Sequence, residues 1–372
     1  MSKPIPYESN QPYNHLPLLP PPDEKVISVE MMQAVNKANK ALAELKGFAK
    51  TLPNQSMLVN TISLREAKAS TEIENIFTTD DELYKALSGN DKELKGNVKE
   101  VLRYRQALWE GYQSIKKNEM FDTALLIKIY QEIKEVKDGI RPPQTETTIK
   151  KRGSGLLGDA VVYTPPRGEK VIKEKLSNLI EYINNDEKYS YDPLIKLSIS
   201  HYQFEAIHPF RDGNGRTGRI LSILLMIQKQ LLDVPILYLS AYIIENKDDY
   251  YALLNKVTTL QNWENWILYM LKAVEETAIY TINKIHEIDH LFQKTHELVN
   301  HNLPHIRKET IEKIFEQPYV SPKALLGQSI KSINTAKKYL GQMEEFGIMV
   351  PEKVGKEIIY LNIDLLNLLS ET

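Results

Sequence analysis

Cysteine is absent from the sequence. That excludes disulfides, thiolate nucleophiles and cysteine-based zinc sites, and it suits a reducing compartment. An excess of either charge is lacking too: 47 lysines and arginines against 49 aspartates and glutamates leave −2 at pH 7, so no global field draws the chain toward nucleic acid or an anionic membrane. Long apolar runs are also missing. The longest, "ILSILLMI" at 220–227, is far short of a bilayer span, and the opening "MSKPIPYESNQPYNHLPLLPPP" has no apolar stretch of signal-peptide length. These absences predict a soluble, cytoplasmic chain with no membrane partner. Internal repeats are not visible, and 372 residues leave room for two or three domains.

What is present is mostly helical pattern. Residues 1 to about 24 are proline-rich and polar, and read as an extended arm whose tyrosines and leucines pin it to the body. From Ser28 onward apolar residues recur at three and four spacing: "VEMMQAVNKANKALAELKGFA", with Gly47 as a stop, then "SMLVNTISLREAKASTEIENI", "GNVKEVLRYRQALWEGYQSI" and "DTALLIKIYQEIKEV". "GDAVVYTPPRG" interrupts the series with β-branched and aromatic residues running into Pro-Pro, which predicts a short strand or hairpin. After it, "EKVIKEKLSNLIEYIN", "DPLIKLSISHYQFEAI" and "RTGRILSILLMIQKQLL" are helices again, the last two apolar on most faces and therefore central. Helical pattern continues to about residue 300, where the style changes. The predicted domains are 1–110, 111–300 and 301–372.

Between the two central helices lies "HPFRDGNGRTGR", His208 to Arg219. Its glycines satisfy Gly-x-Gly-x-x-Gly, but a helix rather than a strand precedes them, and no Lys-Ser or Lys-Thr follows at Walker spacing. Neither standard nucleotide fold is supported. The chemistry of anion binding survives without those folds. Gly213 and Gly215 free the backbone to turn N–H groups inward at the start of the next helix, where unpaired donors and the positive helix end favour a phosphate. Arg216 and Arg219 lie three apart and share a face, able to offer two guanidinium forks to a polyphosphate. Cations at a helix N-terminus are unfavourable by about a few tenths of a kcal/mol each, which an anionic ligand offsets. Asp212, the loop's one acid, suits Mg²⁺ beside phosphate oxygens. His208 titrates nearest neutrality and suits a general base toward a hydroxyl. Phe210 should anchor the loop in the core. The set describes phosphoryl or nucleotidyl transfer.

At every defined position the stretch resembles the signature of the Fic family, His-x-Phe-x-Asp/Glu-Gly-Asn-Gly-Arg-x-x-Arg, and the likeness extends over roughly residues 5–300. It implies a mainly α, all-helical Fic fold with a β-hairpin flap that moves AMP from ATP onto a protein hydroxyl and releases pyrophosphate. By position, His208 would be the base, Asp212 the Mg²⁺ ligand, Gly213, Asn214 and Gly215 the anion hole, and Arg216 and Arg219 the partners of the β- and γ-phosphates. Tyr250, Tyr251 and Asn262 fall where the family builds part of its nucleoside pocket. The hairpin around Val162, Tyr163 and Thr164 resembles the flap that pairs with a target backbone by β-augmentation. "STEIEN" resembles the family's inhibitory motif, with Ser70 and Glu74 on one helical face and Asn75 next; Glu74 would pair with Arg219 and displace the γ-phosphate.

Beyond residue 305, "RKETIEKIFEQ", "SPKALLGQ", "SINTAKKYLGQMEEFGI" and "MVPEKVGKEIIYL" read helix, helix, helix, hairpin, an order that looks like a winged helix-turn-helix. Residues 318–343 carry Lys323, Lys331, Lys337 and Lys338 with one acid-free surface, compatible with weak DNA binding and equally with a protein-binding or structural role. The leading expectation is a protein adenylyltransferase with ATP and Mg²⁺, restrained by Glu74, acting on tyrosine, serine or threonine of a target or of itself, and able to form a homodimer. The alternatives are removal of AMP by the same site, with Glu74 orienting water, and a nucleotide-sensing, DNA-binding regulator or toxin-like module.

Overall fold

The computed structural model describes residues 7–51, 55–88, 96–117, 120–151, 160–354 and 357–370. Residues 1–6 of the expected arm, Gly158 and Asp159 of the expected hairpin, and 355–356 at the turn of the C-terminal hairpin lie outside them. After an extended arm come α1 (Val29–Thr51), α2 (Gln55–Ile73), α3 (Asp80–Ser88), α4 (Asn97–Lys116) and α5 (Thr123–Lys134). A hairpin of β1 (Ile149–Lys151) and β2 (Ala160–Tyr163) follows, antiparallel, with Tyr163 opposite Ile149. Then come α6 (Glu169–Asn184), α7 (Pro193–Ile207), α8 (Asn214–Gln228), α9 (Leu239–Glu245), α10 (Lys247–Leu260) and α11 (Trp263–Asn302). Gly47 does not stop α1, which continues to Thr51. A single exposed glycine costs about 1 kcal/mol, and Ala49 beyond it is buried in the core, so packing decides.

The two helices that carry the loop are the most enclosed. α7 starts where Asp192 accepts from the Leu194 N–H at 2.8 Å and Pro193 takes the first turn, and nearly every residue from Leu194 to Ile207 is buried. α8 is buried from Arg216 through Ile227. Polar side chains inside this layer are satisfied locally: Trp266 donates to the Ser198 carbonyl at 2.7 Å, and Tyr202 bonds Thr258 at 2.9 Å. The loop between them is thus set on a rigid floor.

The C-terminal unit contains α12 (Lys308–Phe315), β3 (Tyr319–Val320), a one-turn 3-10 helix (Pro322–Leu325), α13 (Ile333–Glu345), β4 (Val350–Val354), β5 (Glu357–Leu361) and α14 (Ile363–Ser370). Its three strands form one antiparallel sheet in the order β3-β5-β4. The expected helix at "SPKALLGQ" is shortened to that single turn. The unit packs back on the body: Phe315 meets Phe292 edge-on at 5.2 Å, Lys284 donates to the Leu368 carbonyl at 3.2 Å, and Lys85 of α3 pairs with Glu352 at 2.6 Å. Among the described residues no helix is long and apolar enough to cross a membrane.

Candidate active site

α7 ends at His208, whose backbone is left-handed (φ 49°) with its N–H on the Phe204 carbonyl at 3.0 Å. That conformation costs a non-glycine residue about 1–2 kcal/mol and needs support from its surroundings. Arg141 supplies it. Its Nε donates to the His208 carbonyl at 2.8 Å, its backbone N–H to Pro209 at 2.9 Å, and its Nη2 to the Pro166 carbonyl just beyond the hairpin. One buried guanidinium therefore ties the loop to the flap. Phe210 lies flat on Tyr130 with ring centres 4.2 Å apart, the core anchor expected. The Asn214 side chain closes the loop, accepting from the Phe210 N–H and donating to its carbonyl, each at 2.9 Å. Asn214 thus spends its side chain on bracing, and what it can offer an anion is its backbone N–H.

Burial lowers the His208 pKa to about 4, helped by the nearby Arg141 charge and opposed by the Glu205 carbonyl, Glu74 and Asp212. The imidazole is accordingly neutral at pH 7 and able to accept a proton. At the next turn Gly213 takes φ 73°, a left-handed position open to glycine, and α8 begins. Asp212 is two-thirds exposed, with 66% of its side chain accessible, and accepts from the Gly213 N–H at 2.6 Å and from Lys134 at 2.8 Å. Partial burial raises its pKa, but Lys134, the Gly213 amide and Arg216 outweigh that and hold the carboxyl below its ordinary range. An ionised, accessible oxygen donor fits Mg²⁺. Among the described residues no cluster of three metal-ligating side chains exists, so a metal here would take its remaining ligands from nucleotide and water.

Arg216 and Arg219 are each 1% exposed, but they do not present a common face to solvent. Arg216 turns to α4 and pairs with Glu100. Arg219 turns to α2: Nε donates to the Ser70 hydroxyl at 2.7 Å, and Nη2 to the Ser70 carbonyl at 2.8 Å and to Glu74 at 2.9 Å. Burial opposes its charge, but Glu74 together with Tyr250, Tyr104 and Glu205 outweighs that and raises the guanidinium pKa. Glu74 Oε1 also lies so close to Gly215 that a Cβ there would overlap it. The carboxylate therefore stands at the N-terminal end of α8, the place where an anion is favoured.

Local sequence explains how Glu74 gets there. α2 ends at Ile73, and Asn75 adopts φ 62° with the Ile76 N–H returning to the Thr71 carbonyl at 3.1 Å, a left-handed close that asparagine tolerates. Glu74 thus belongs to the turn that closes α2 rather than to the helix, and it still meets the same guanidinium as Ser70. Lys247, at the start of α10, caps the same end by donating to the Ile73 carbonyl at 2.6 Å. Farther up α2, the buried Glu66 accepts from Tyr104 at 3.0 Å and from the Ser240 N–H at 2.8 Å, fixing the helix against α4 and α9.

The remaining expected positions divide. Tyr251 is 44% exposed, and its hydroxyl titration is raised by burial and by Glu74 and lowered by Arg219, which places it at the edge of the cradle. Tyr250 is core: its hydroxyl bonds the buried His201 at 2.7 Å and its ring packs on Trp266. Asn262 caps α11 by accepting from the Asn265 N–H at 3.4 Å. Asn262 is not shown at the cradle, whereas the Tyr250 hydroxyl, although in the core, interacts electrostatically with Arg219 and Glu205. In the flap, Tyr163 donates to the Ala206 carbonyl at 2.7 Å and Thr164 to the Ser9 carbonyl at 2.7 Å, so both side chains point inward rather than toward a target. Sequence reasoning missed Glu205, Arg141, Glu100, Lys134 and Lys247. Glu205, one turn before His208, has its pKa pushed up to about 7 by burial, against the pull of Arg219, and its Oε1 finds no hydrogen-bond partner among the described residues.

Three family models match the chain: "Fic/DOC family N-terminal" at residues 32–113, "Fic/DOC family" at 120–226, and "Protein adenylyltransferase SoFic-like, C-terminal domain" at 291–365. Among curated relatives it is similar to the protein adenylyltransferase fic-1 of Caenorhabditis briggsae, 33% identical over 113 residues, or 30% of this chain and 21% of that one. A probable protein adenylyltransferase of Aquifex aeolicus is 28% identical over 178 residues, 46% of this chain and 50% of the relative. The matches therefore span half or less of those relatives' lengths. Among solved structures, a Fic family protein from Desulfovibrio desulfuricans superposes with a TM-score of 0.54 at 18% identity, over 90% of this chain and 96% of the other. Fic-1 of C. elegans (residues 134–508) gives 0.52 at 19% identity over 68% and 74%. At such identities the likeness is one of fold.

Proposed function

With its residues 32–113 and 120–226 matching the family's two models, the chain belongs to the Fic/DOC family, and we propose that it is a protein adenylyltransferase that moves AMP from ATP to a tyrosine, serine or threonine hydroxyl and is held in check by Glu74. The observation that carries this reading is a neutral imidazole, His208, fixed beside a helix N-terminus backed by two buried guanidiniums. The target oxygen attacks the α-phosphorus, the bond to the β-phosphate oxygen breaks, pyrophosphate leaves, and His208 takes the hydroxyl proton. Backbone N–H groups at 214 and 215 face the anionic oxygens, while Arg219, once free of Glu74, and Arg216, once free of Glu100, hold the leaving phosphates. Mg²⁺ held by Asp212 would supply charge neutralisation to the polyphosphate.

The lowered pKa of His208 sets a pH dependence. A histidine whose folded pKa lies below its unfolded value loses stability as pH falls below about 6.5, and it stays neutral down to about 4. For the released enzyme, kcat/KM for pyrophosphate formation should hold level from pH 8 to about 5 and fall below that. An acid limb centred at 6 to 6.5 would show that a different group is the base, or that His208 is more solvated than this geometry makes it.

Lys247 gives a second test. Its bond to the Ile73 carbonyl, a charge-assisted contact of about 1.5–3 kcal/mol at most, holds the turn that delivers Glu74. Lys247→Ala should raise AMP transfer several-fold in the native chain and change nothing when Glu74 is already glycine. Equal gains in both backgrounds would place the effect elsewhere. In the C-terminal unit, Lys323 is tied to Glu357 at 2.8 Å, leaving Lys331, Lys337 and Lys338 as the exposed cations of the strip that a DNA backbone would meet. That is a small electrostatic footprint.

A further inference from the structure

The outer edge of the flap is already filled by the chain's own arm. The Tyr13 N–H donates to the Thr164 carbonyl at 3.0 Å, the Tyr7 hydroxyl to the Val162 carbonyl at 2.8 Å, and Thr164 returns a bond to the Ser9 carbonyl at 2.7 Å. Asn14 Oδ1 accepts from the Arg167 N–H at 2.7 Å. Tyr7 stacks on Tyr163 with ring centres at 6.1 Å and Tyr13 meets it edge-on at 6.3 Å. β1 occupies the other edge of β2. The carbonyls at 162, in β2, and at 164, just past its end, are alternate ones that an added strand would use.

The arm has two parts with different holds. Leu16 and Leu19 are buried, and their backbone is fixed by Lys175 on the Leu16 carbonyl at 2.6 Å and by Asn178 on both sides of Leu19, at 2.7 and 3.1 Å. Gln203 adds a bond to the Pro17 carbonyl at 2.9 Å. Between Tyr7 and Asn14, by contrast, no residue is buried. A surface segment therefore lies on the flap while the stretch behind it is a fixed anchor.

We propose that residues 7–14 are a tethered occupant of the flap edge, which an extended target segment must displace before its hydroxyl reaches His208. This rests on the adenylyltransferase reading and on the flap as the docking strand. Tyr163, the residue both arm tyrosines cover, is bonded to the Ala206 carbonyl two residues before His208, so the occupied edge adjoins the reacting centre. A short tether keeps such a segment at an effective concentration of about millimolar, enough to raise the apparent target KM several-fold without touching ATP binding.

The test uses a chain lacking residues 1–14 with Glu74→Gly, beside Glu74→Gly alone and the full-length Tyr7→Ala/Tyr13→Ala/Glu74→Gly, each checked by thermal melting. AMP incorporation from labelled ATP into lysate protein, pyrophosphate release with water as acceptor, and anisotropy of a fluorescent peptide of residues 7–15 are measured. Expected are about 3- to 10-fold more incorporation from both arm variants at subsaturating lysate, unchanged pyrophosphate release, binding of the peptide only when the arm is missing, and reversal of the gain by that peptide. Loss of incorporation that the peptide restores would make the arm a fixed strand of the platform and overturn the proposal, as would absence of peptide binding. If Glu74→Gly alone neither labels protein nor releases pyrophosphate, it is the adenylyltransferase reading that fails, and peptide binding then decides by itself whether the arm is a displaceable occupant.

Discussion

Replacing His208 by alanine should lower AMP transfer by about 10²- to 10⁴-fold while ATP binding is kept, the range that positioned general bases supply. The structure makes the residue costly to hold and hard to substitute. Its backbone is left-handed at φ 49°, its carbonyl is clamped by Arg141, and its ring is kept neutral by burial and by that same charge. A side chain present only to fill space would not need this support. Because Arg141 grips the His208 backbone and not its ring, the loop should keep its shape in the alanine variant, so the loss belongs to proton transfer. Single-turnover rates and ATP affinity measured side by side check this. A rate within about threefold of the parent would remove His208 from the chemistry.

Glu74→Gly should raise transfer by about 5- to 150-fold, the span of a coupling energy of about 1–3 kcal/mol. In the proposed brake the carboxylate would act in two ways at once. It engages Arg219 Nη2 at 2.9 Å, and it stands against Gly215 at the opening of α8, a helix end that favours an anion. Removing it frees both. Arg219 keeps its two bonds to Ser70 at 2.7 and 2.8 Å, so the guanidinium stays in place after the change. Glu74 is 35% exposed and the contact is partly solvated, which keeps the expected gain moderate. Quantified adducts on target protein test it. A fall in activity in place of a gain would instead point to Glu74 orienting water, the AMP-removing direction.

Much of this was legible because the loop's chemistry is contiguous. His208, Asp212, Gly213 and Arg219 fall within twelve residues, and the boundary between a buried helix and a glycine turn is a local signal. The pairing of Glu74 with Arg219, expected of "STEIEN", is found at 2.9 Å although the two are 145 residues apart. What the sequence hid lies far along the chain from the loop it serves. Arg141, the clamp of His208, is one arginine before two prolines with no pattern around it, and its partner is 67 residues away. Lys247 meets Ile73 across 174 residues. Tyr250 could not be placed from sequence, because an aromatic residue on a helix has the same spacing whether it faces a ligand or packs, as here, beside His201 and Trp266. The pairing of Arg216 with Glu100 was likewise invisible, since three-residue spacing puts two arginines side by side on a bare helix but does not say which neighbouring helices draw them apart.

The most direct test of the central claim is intact-mass spectrometry of Glu74→Gly and of Glu74→Gly/His208→Ala after incubation with ATP and Mg²⁺, alone and with a lysate fraction. Expected is the added mass of AMP, on the chain or on lysate protein, from the first variant and none from the second. No adduct and no pyrophosphate from Glu74→Gly, or equal adducts from both, would contradict that claim.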